Sequence, residues 1–388
     1  MVFPFTLTQN NMKIIHLILG KARQERMNGV SKVAHELAST QARMGYEVEM
    51  WGLTGTPDEQ LPPRAYELRL FMQKNQFSLD ASIKKAILEL KGQQVCFHIH
   101  GGFILPFYRI ARRLHRLQIP YVFTPHGSYS PFAFQRSGWK KKAYFYGLEA
   151  GMVRRAKALQ FSGESGYQSF DELLKIDHKV LIPNGQNMED LILEEEKVLD
   201  HKDPIFSFCG RLINHYKGLD ILMEAFGRYV QGGGKGQLWL IGDGPDKESL
   251  QAQASTFGVS DQVIFWGSKY GNEKLSLLQE SDAFVHPSRS EGFPTAVLEA
   301  AGLGLPCMVS KATNAAGYIK QFNAGIGLPK NDVMHIVEAL FYLEMRKEMG
   351  TIEEMGNAAR QMVKDEFSWE NITSRLLKVY GLTTPIEA

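Results

Sequence analysis

No run of eighteen apolar residues occurs among the 388 residues, which leaves no segment long enough to cross a bilayer as an apolar helix. The opening stretch MVFPFTLTQNNMK is short and lacks the basic lead, apolar middle and small-residue cleavage site of a secretory leader, so a cytoplasmic location is expected. Cysteine is scarce as well. Cys96, Cys209 and Cys307 are an odd number, each in an apolar, strand-like run, which suits buried free thiols and excludes a disulfide framework. No Asp-x-Asp pair occurs anywhere. No nucleic-acid-binding motif or aromatic stacking pattern accompanies the basic residues, so no nucleic-acid partner is expected.

What is present is charge of opposite sign at the two ends. Residues 1–157 hold 23 Lys and Arg against 10 Asp and Glu, whereas residues 158–388 hold 21 against 32, beneath a net charge of only +2. Arg109, Arg112, Arg113 and Arg116 follow the spacing of one helical face, and Lys140, Lys141, Lys142, Arg154, Arg155 and Lys157 come later. For any single arginine a solvated helix face is the plainer explanation. Taken together, the basic residues suggest attraction to an anionic membrane surface, worth about 1 kcal/mol per residue near such a surface. A cytoplasmic protein peripheral on the cytoplasmic face is the corresponding expectation.

Hydrophobic patterning alternates between strand-like runs and helical periods. KIIHLIL reads as a buried strand, and the following VSKVAHELASTQARMG places Val30, Val33, Ala34, Leu37 and Ala38 on one helical face, with Gly45 as its terminator. The unit recurs through YEVEMWGL, QVCFHIHG, PYVFTPHG and KALQFSG, which predicts a parallel sheet covered on both faces. After LIPNG a charged stretch, residues 186–204, reads as a linker. The pattern then restarts with IFSFCG, QLWLIGDG, QVIFWGS, AFVHPS, LPCMVS and AGIGLP. Two Rossmann-like, doubly wound α/β domains facing a deep cleft are therefore expected, over residues 1–188 and 189–366, with function at the carboxyl ends of the strands. The glycine run QGGGKGQ precedes a strand rather than following one and reads as a plain helix-to-strand connection.

Four strand-end loops of the second half carry polar groups: GRLINHYKGLD, IGDGP, GSKYG and HPSRSEGFPTAVLEA. In the last of these Pro294 suits a helix first turn, so the N–H groups near Gly292 and Phe293 can point at an anion. Arg211 and Lys217 could neutralise a diphosphate. Glutamates are poor neighbours for phosphate and good acceptors for hydroxyls, so Glu291 and Glu299 on either side suggest a ligand with hydroxyl-rich groups flanking a diphosphate, as in a nucleotide sugar. Alone, each has a plainer explanation, an ordinary helix carboxylate for Glu299 and a surface ion pair for Arg211.

The ordered set GRLINHYKG, IGDGP and EGFPTAVLEA, with TPHGSY, IPNG and the terminal FSWENITSRLLKVYG, resembles the retaining glycosyltransferases of family 4, which have the GT-B fold; the resemblance runs from about Lys13 to Tyr380. It implies that Arg211 and Lys217 hold the donor diphosphate, that Glu291 binds the transferred sugar and that Glu299 binds ribose hydroxyls. It further implies donor contacts from Gly210, from Gly292, Phe293, Pro294 and Thr295, and from Gly29 at the first strand-to-helix turn. Ser268, Lys269 and Tyr270 fall in the loop that would read the base. His126 of PHG is implied to face the sugar or the acceptor from the first domain; Asn28, Ser128 and His100, the last at a strand end next to GGF, are expected acceptor contacts. The last helix, within residues 367–388, is implied to pack back on the first domain. Asn28 stands where the family often has a second glycine, and Gln186-Asn187 where it usually has Val-Asp.

With no Asp-x-Asp, the charge on the diphosphate falls to Arg211 and Lys217 and the expected transfer is metal-independent, with no cofactor besides the donor. The expected reaction moves a hexose-type sugar from a UDP, GDP or ADP sugar to a saccharide or lipid-linked acceptor, with retention, in cell-surface polysaccharide or glycolipid synthesis. The alternatives are a nucleotide-sugar epimerase or hydrolase of the same fold and a non-catalytic nucleotide-sugar-binding protein. Cys96, His98 and His100 alternate along one strand and could be read as metal ligands, but no fourth ligand is nearby and burial is the plainer explanation of Cys96 and His98, so no metal site is expected. Donor base, sugar, acceptor, linkage and oligomeric state are not encoded in any motif.

Overall fold

The computed structural model describes residues 12–22, 29–58, 61–135, 138–192 and 201–382. The chain divides into two compact units, Met1–Pro183 with Trp369–Ala388, and Asn184–Ser368. No helix among the described residues is long and apolar enough to cross a membrane.

Unit 1 is built on seven parallel strands: β1 (Lys13–Leu19), β2 (Val48–Thr54), β3 (Glu67–Met72), β4 (Val95–His100), β5 (Tyr121–Thr124), β6 (Ala158–Phe161) and β7 (Lys179–Leu181). Their spatial order is β3-β2-β1-β4-β5-β6-β7. Successive side chains leave opposite faces, so β1 and β4 feed two cores. Ile15, Leu17, Phe97 and Ile99 join one with Trp51 and Phe123. Ile14, Ile18 and Cys96 join the other. That second core is closed by helix Gly29–Arg43 through Val33, Ala34, Leu37 and Ala38, and by the last helix, Trp369–Tyr380, through Trp369, Ile372, Leu376 and Leu377. The first is covered in part by helix Leu105–Arg116, which buries Phe107, Ile110, Ala111 and Leu114 and leaves Arg112 and Arg116 exposed.

Unit 2 has six parallel strands: β8 (Ile205–Cys209), β9 (Gln237–Ile241), β10 (Val263–Gly267), β11 (Ala283–His286), β12 (Cys307–Val309) and β13 (Gly325–Gly327). Their order is β10-β9-β8-β11-β12-β13. In both sheets the winding direction reverses once, between β1 and β4 and between β8 and β11. Loops leaving the carboxyl ends there diverge to opposite sides and open a crevice for ligands.

The strand runs read from sequence all form strands, while β3 and β7 escape that reading. β3 is a half-buried edge strand interrupted by Glu67 and Arg69, and β7, at the other edge, is only partly buried along its length and begins with Lys179. The glycine run 231–237 does connect helix Leu219–Gln231 to β9. The chain passes from one unit to the other at Pro183–Asn184, just ahead of the charged stretch. Residues 193–200 of that stretch lie outside the described residues. All three cysteines are free and buried.

Candidate functional site

In unit 2 the loops after β8 and β11 meet at the switch point. The first runs through Gly210 and Arg211 into the short helix Asn214–Lys217, which ends at Gly218. Gly218 is left-handed, with φ of 65°, and a Cβ there would sit 2.3 Å from the carbonyl oxygen of Pro287 in the second loop. Only glycine allows that approach. Arg289 then clamps the loops, with Nη1 and Nη2 each 2.7 Å from the Asp220 carboxylate and Nη1 2.7 Å from the Asn214 carbonyl.

This approach brings Lys217 to Glu291. Lys217 Nζ, His286 Nε2 (3.1 Å) and Ser288 Oγ (3.0 Å) all donate to the same oxygen, Glu291 Oε1. Oε2 has no partner among the described residues. Burial pushes the Glu291 carboxyl up, but the His286 hydrogen bond and the Lys217 charge outweigh it and hold the group at about 2. Burial also lowers the His286 pKa, so His286 is neutral and its contact is a hydrogen bond rather than an ion pair.

Behind Glu291 the chain is held by its carbonyls. Asn314 Nδ2 donates to the carbonyls of Glu291 (3.1 Å) and Gly292 (2.7 Å), and Asn184 Nδ2 to that of Phe293 (3.2 Å). Among the described residues, the N–H groups of Gly292, Phe293 and Thr295 find no protein acceptor. Helix Thr295–Gly302 begins immediately after Pro294, which is its N-cap and not, as its residue type suggested, a first-turn residue. The outcome is the same, an array of unpaired donors at a helix start that suits an anion. Arg211 is exposed and its guanidinium is unpaired among the described residues.

Glu299 is buried one turn into that helix, and Lys274 Nζ reaches its Oε2 at 2.8 Å. Lys274 belongs to helix Gly271–Gln279, which the loop 268–270 enters with Tyr270 as N-cap. Tyr270 is 70% exposed, Ser268 is exposed and Lys269 pairs with Glu273 at 3.4 Å.

In unit 1, Gly29 is the first residue of its helix, and a Cβ there would meet nothing within 4 Å, so the chain's own packing does not require the glycine. Asn28 lies outside the described residues. His126 and Ser128 lie in the turn after β5, both partly buried, with His126 at φ of 49°. Buried Glu149 ties this turn to the loop after β4, accepting from the Tyr129 hydroxyl and the Phe103 N–H, each at 2.6 Å. His100, expected as an acceptor contact, would have to give up a hydrogen bond to make one. It is 1% exposed, and its ring nitrogens are taken by His16 (2.9 Å) and His126 (3.0 Å).

Among the described residues, the group of three side chains able to converge on a metal is His16, His98 and His100. It includes His16 of β1 where sequence reading had placed Cys96. These rings already spend their nitrogens on one another and on Gln41, Thr124, Tyr380 and His126. Sequence reading also passed over His286, Ser288, Lys274, Asn314 and Glu149. His286 and Ser288 sit in the quoted loop beside Glu291, so their nearness was available; the others come from distant segments and left no local signal.

Residues 189–362 match the family model "Glycosyl transferases group 1", and residues 27–190 match "Glycosyltransferase Family 4". Together the two cover most of the chain. A curated relative, the "Putative glycosyltransferase EpsF" of Bacillus subtilis, is 26% identical over 266 residues, 66% of each chain. The "GDP-mannose-dependent alpha-mannosyltransferase" of Corynebacterium glutamicum is 32% identical over 178 residues, 46% of this chain and 39% of that one. Both matches thus span less than two thirds of the relative's own length. The crystal structure of Anabaena Alr3699/HepE in complex with UDP superposes with a TM-score of 0.73 at 15% identity, covering 95% of this chain and 99% of the other.

Proposed function

Because the chain belongs to the group 1, family 4 glycosyltransferases and has their GT-B fold of two parallel-sheet units, we propose that it transfers a hexose-type sugar from a nucleotide-diphosphate sugar to a saccharide or lipid-linked acceptor. Transfer proceeds with retention and serves cell-surface polysaccharide or glycolipid synthesis. Unit 2 takes the donor and unit 1 the acceptor.

The observation that carries this reading is the state of Glu291. Three donors saturate Oε1 and hold the carboxylate ionised, while Oε2 stays open beside unpaired backbone N–H groups. A carboxylate with one committed oxygen accepts sugar hydroxyls through the other without having to move. The adjacent N–H groups of Gly292, Phe293 and Thr295, with Arg211 and Lys217, receive the diphosphate, and Glu299 receives the ribose. In that complex Lys217 bridges the sugar-binding carboxylate and the phosphate, so one cation organises both.

In the reaction the bond between the anomeric carbon and the phosphate oxygen lengthens and negative charge grows on the leaving diphosphate. Arg211, Lys217 and the helix start compensate that charge, which lowers the barrier electrostatically. The acceptor hydroxyl attacks on the leaving-group face, and its proton passes to the departing phosphate. These cations and N–H groups supply the compensation that a metal ion supplies elsewhere. His126 faces a hydroxyl of the sugar or the acceptor. The HepE complex with UDP supports a nucleotide donor for this fold, and the mannosyltransferase relative widens the choice of base to GDP.

The test is thermal stabilisation of the purified protein by UDP, GDP, ADP and their sugars, with EDTA present. One nucleotide class should raise Tm, and Glu299→Ala should abolish the rise. A well-folded protein stabilised by none of them does not use this site for a nucleotide sugar.

A further inference from the structure

A chain of buried polar side chains crosses unit 1 from β7 to His126, and its hydrogens can be placed one by one. Gln160 Nε2 donates to the backbone carbonyl of Ile182 at 2.9 Å, which fixes the amide. Its Oε1 therefore faces Thr124 and accepts the hydroxyl hydrogen at 2.7 Å. Having donated there, Thr124 Oγ1 accepts from His98 Nε2 at 2.7 Å, so His98 carries its hydrogen on Nε2 and Nδ1 is bare. The Tyr380 hydroxyl, 2.6 Å from that Nδ1, donates to it. Only its lone pairs remain for Gln41, whose Nε2 donates at 3.5 Å.

Gln41 thus turns Oε1 towards His16, and His16 Nε2 donates to it at 2.8 Å. His16 Nδ1 is then an acceptor, and His100 Nε2 donates to it at 2.9 Å. His100 Nδ1 in turn accepts from His126 Nε2 at 3.0 Å. His98, His16 and His100 must each be neutral, since one ring nitrogen accepts while the other donates; His126, at the end of the series, only donates and owes its neutrality to burial. Burial supplies that condition, lowering His16 and His126 to about 4 and depressing His98 and His100 as well. Among the described residues, His126 Nδ1 is the one ring nitrogen of these four histidines without a partner. It projects from a residue at φ of 49°, in the left-handed region that few residues other than glycine occupy.

We propose that this chain is a tautomer relay: it holds His126 with its hydrogen on Nε2 and presents Nδ1 as a fixed acceptor for a hydroxyl of the bound sugar or acceptor. The residues behind it, from Gln160 to His100, are positioning residues. Tyr380 makes the last helix part of the relay, since among the described residues its oxygen alone links His98 to Gln41 by hydrogen bonds. The identity of the hydroxyl-bearing ligand rests on the function proposed above, whereas the relay does not.

The experiment is long-range proton–nitrogen NMR of the full chain labelled with 15N-histidine at neutral pH, with His126 assigned through the signals lost in His126→Asn. His126 should show a protonated Nε2 and a bare Nδ1. A protonated Nδ1, or an equal mixture of tautomers, overturns the proposal. Tyr380→Phe removes one oxygen and frees the Gln41 amide to turn; His126 should then populate both tautomers. Gln41→Leu should do the same, which keeps the test open if either variant fails to fold. A folded variant in which His126 remains purely Nε2-protonated also overturns it. In these variants kcat/KM with the UDP or GDP sugar that stabilises the protein should fall about five- to tenfold, the weight of one neutral hydrogen bond. If no nucleotide sugar binds, the proposed function fails, while the ring spectra decide the relay by themselves.

Discussion

Glu291 keeps its charge in a half-closed place because three donors converge on one of its oxygens. Replacing it with Gln should destabilise the protein at pH 7 by about 1–3 kcal/mol, since Lys217 loses its counter-charge. The carboxyl is depressed in the folded state, so its contribution is complete above its unfolded value of 4.5 and disappears as pH falls through about 2. The Tm difference between wild type and Glu291→Gln should therefore narrow steadily between those values, and a gap independent of pH would place the effect elsewhere. Arg211 has no structural partner among the described residues, which makes its variant cleaner. Arg211→Ala should leave Tm unchanged and lower kcat by roughly two to three orders of magnitude, as loss of a preorganised donor does. A raised KM with native kcat would restrict Arg211 to binding. At this scale the sequence was informative where residues are neighbours in the chain. Glu291, Gly292 and Thr295 could be picked out because a helix start is a local event. Lys274 could not be matched to Glu299, because 25 residues and a strand separate them.

Among the elements, the two loops of the unit 2 switch point depend on Gly218 more than on any charged residue. A Cβ at that position meets a backbone oxygen and a left-handed φ at once. Gly218→Ala should cost about 1–3 kcal/mol of stability and weaken nucleotide binding together, because it parts Lys217 from Glu291. A variant that keeps its Tm but loses binding, or the reverse, would separate the turn from the site. The strands that carry these loops were legible as apolar runs of Val, Ile, Leu and Phe, since a parallel strand buried on both faces has no polar alternation to confuse the pattern. β3 shows the limit. At a sheet edge half its side chains meet water, and Glu67 and Arg69 interrupt the run. The histidines of β1 and β4 show another limit: in sequence they resemble isolated core residues or metal ligands, and only the pairing of His16 with His98 across the two strands turns them into a hydrogen-bonded series.

Over the whole molecule the charge asymmetry follows the two units. Unit 1 holds 27 Lys and Arg against 16 Asp and Glu, and unit 2 holds 17 against 26. In unit 1 Arg112, Arg116, Lys140 and Lys142 are exposed, together with Trp139 at 74%. We propose that these exposed cations and the exposed indole attach the protein to an anionic membrane carrying a lipid-linked acceptor. Vesicles of phosphatidylcholine and phosphatidylglycerol should bind the protein at low salt and release it as salt rises, whereas phosphatidylcholine alone should not; absence of binding at every salt concentration would remove the membrane from the proposal. The sequence by itself determined the repeating strand and helix units, the two-part organisation, the acid and base halves and the loop that carries Glu291. Each of these is written in residues adjacent in the chain or at a fixed period. Only the tertiary structure decided the order of the strands, the convergence of Lys217, His286 and Ser288 on one carboxylate oxygen, the pairing of Lys274 with Glu299 and the direction of the histidine relay. Those depend on which distant segments are brought within 3 Å, and hydrogen-bond direction passes from one buried group to the next only after every partner is in place.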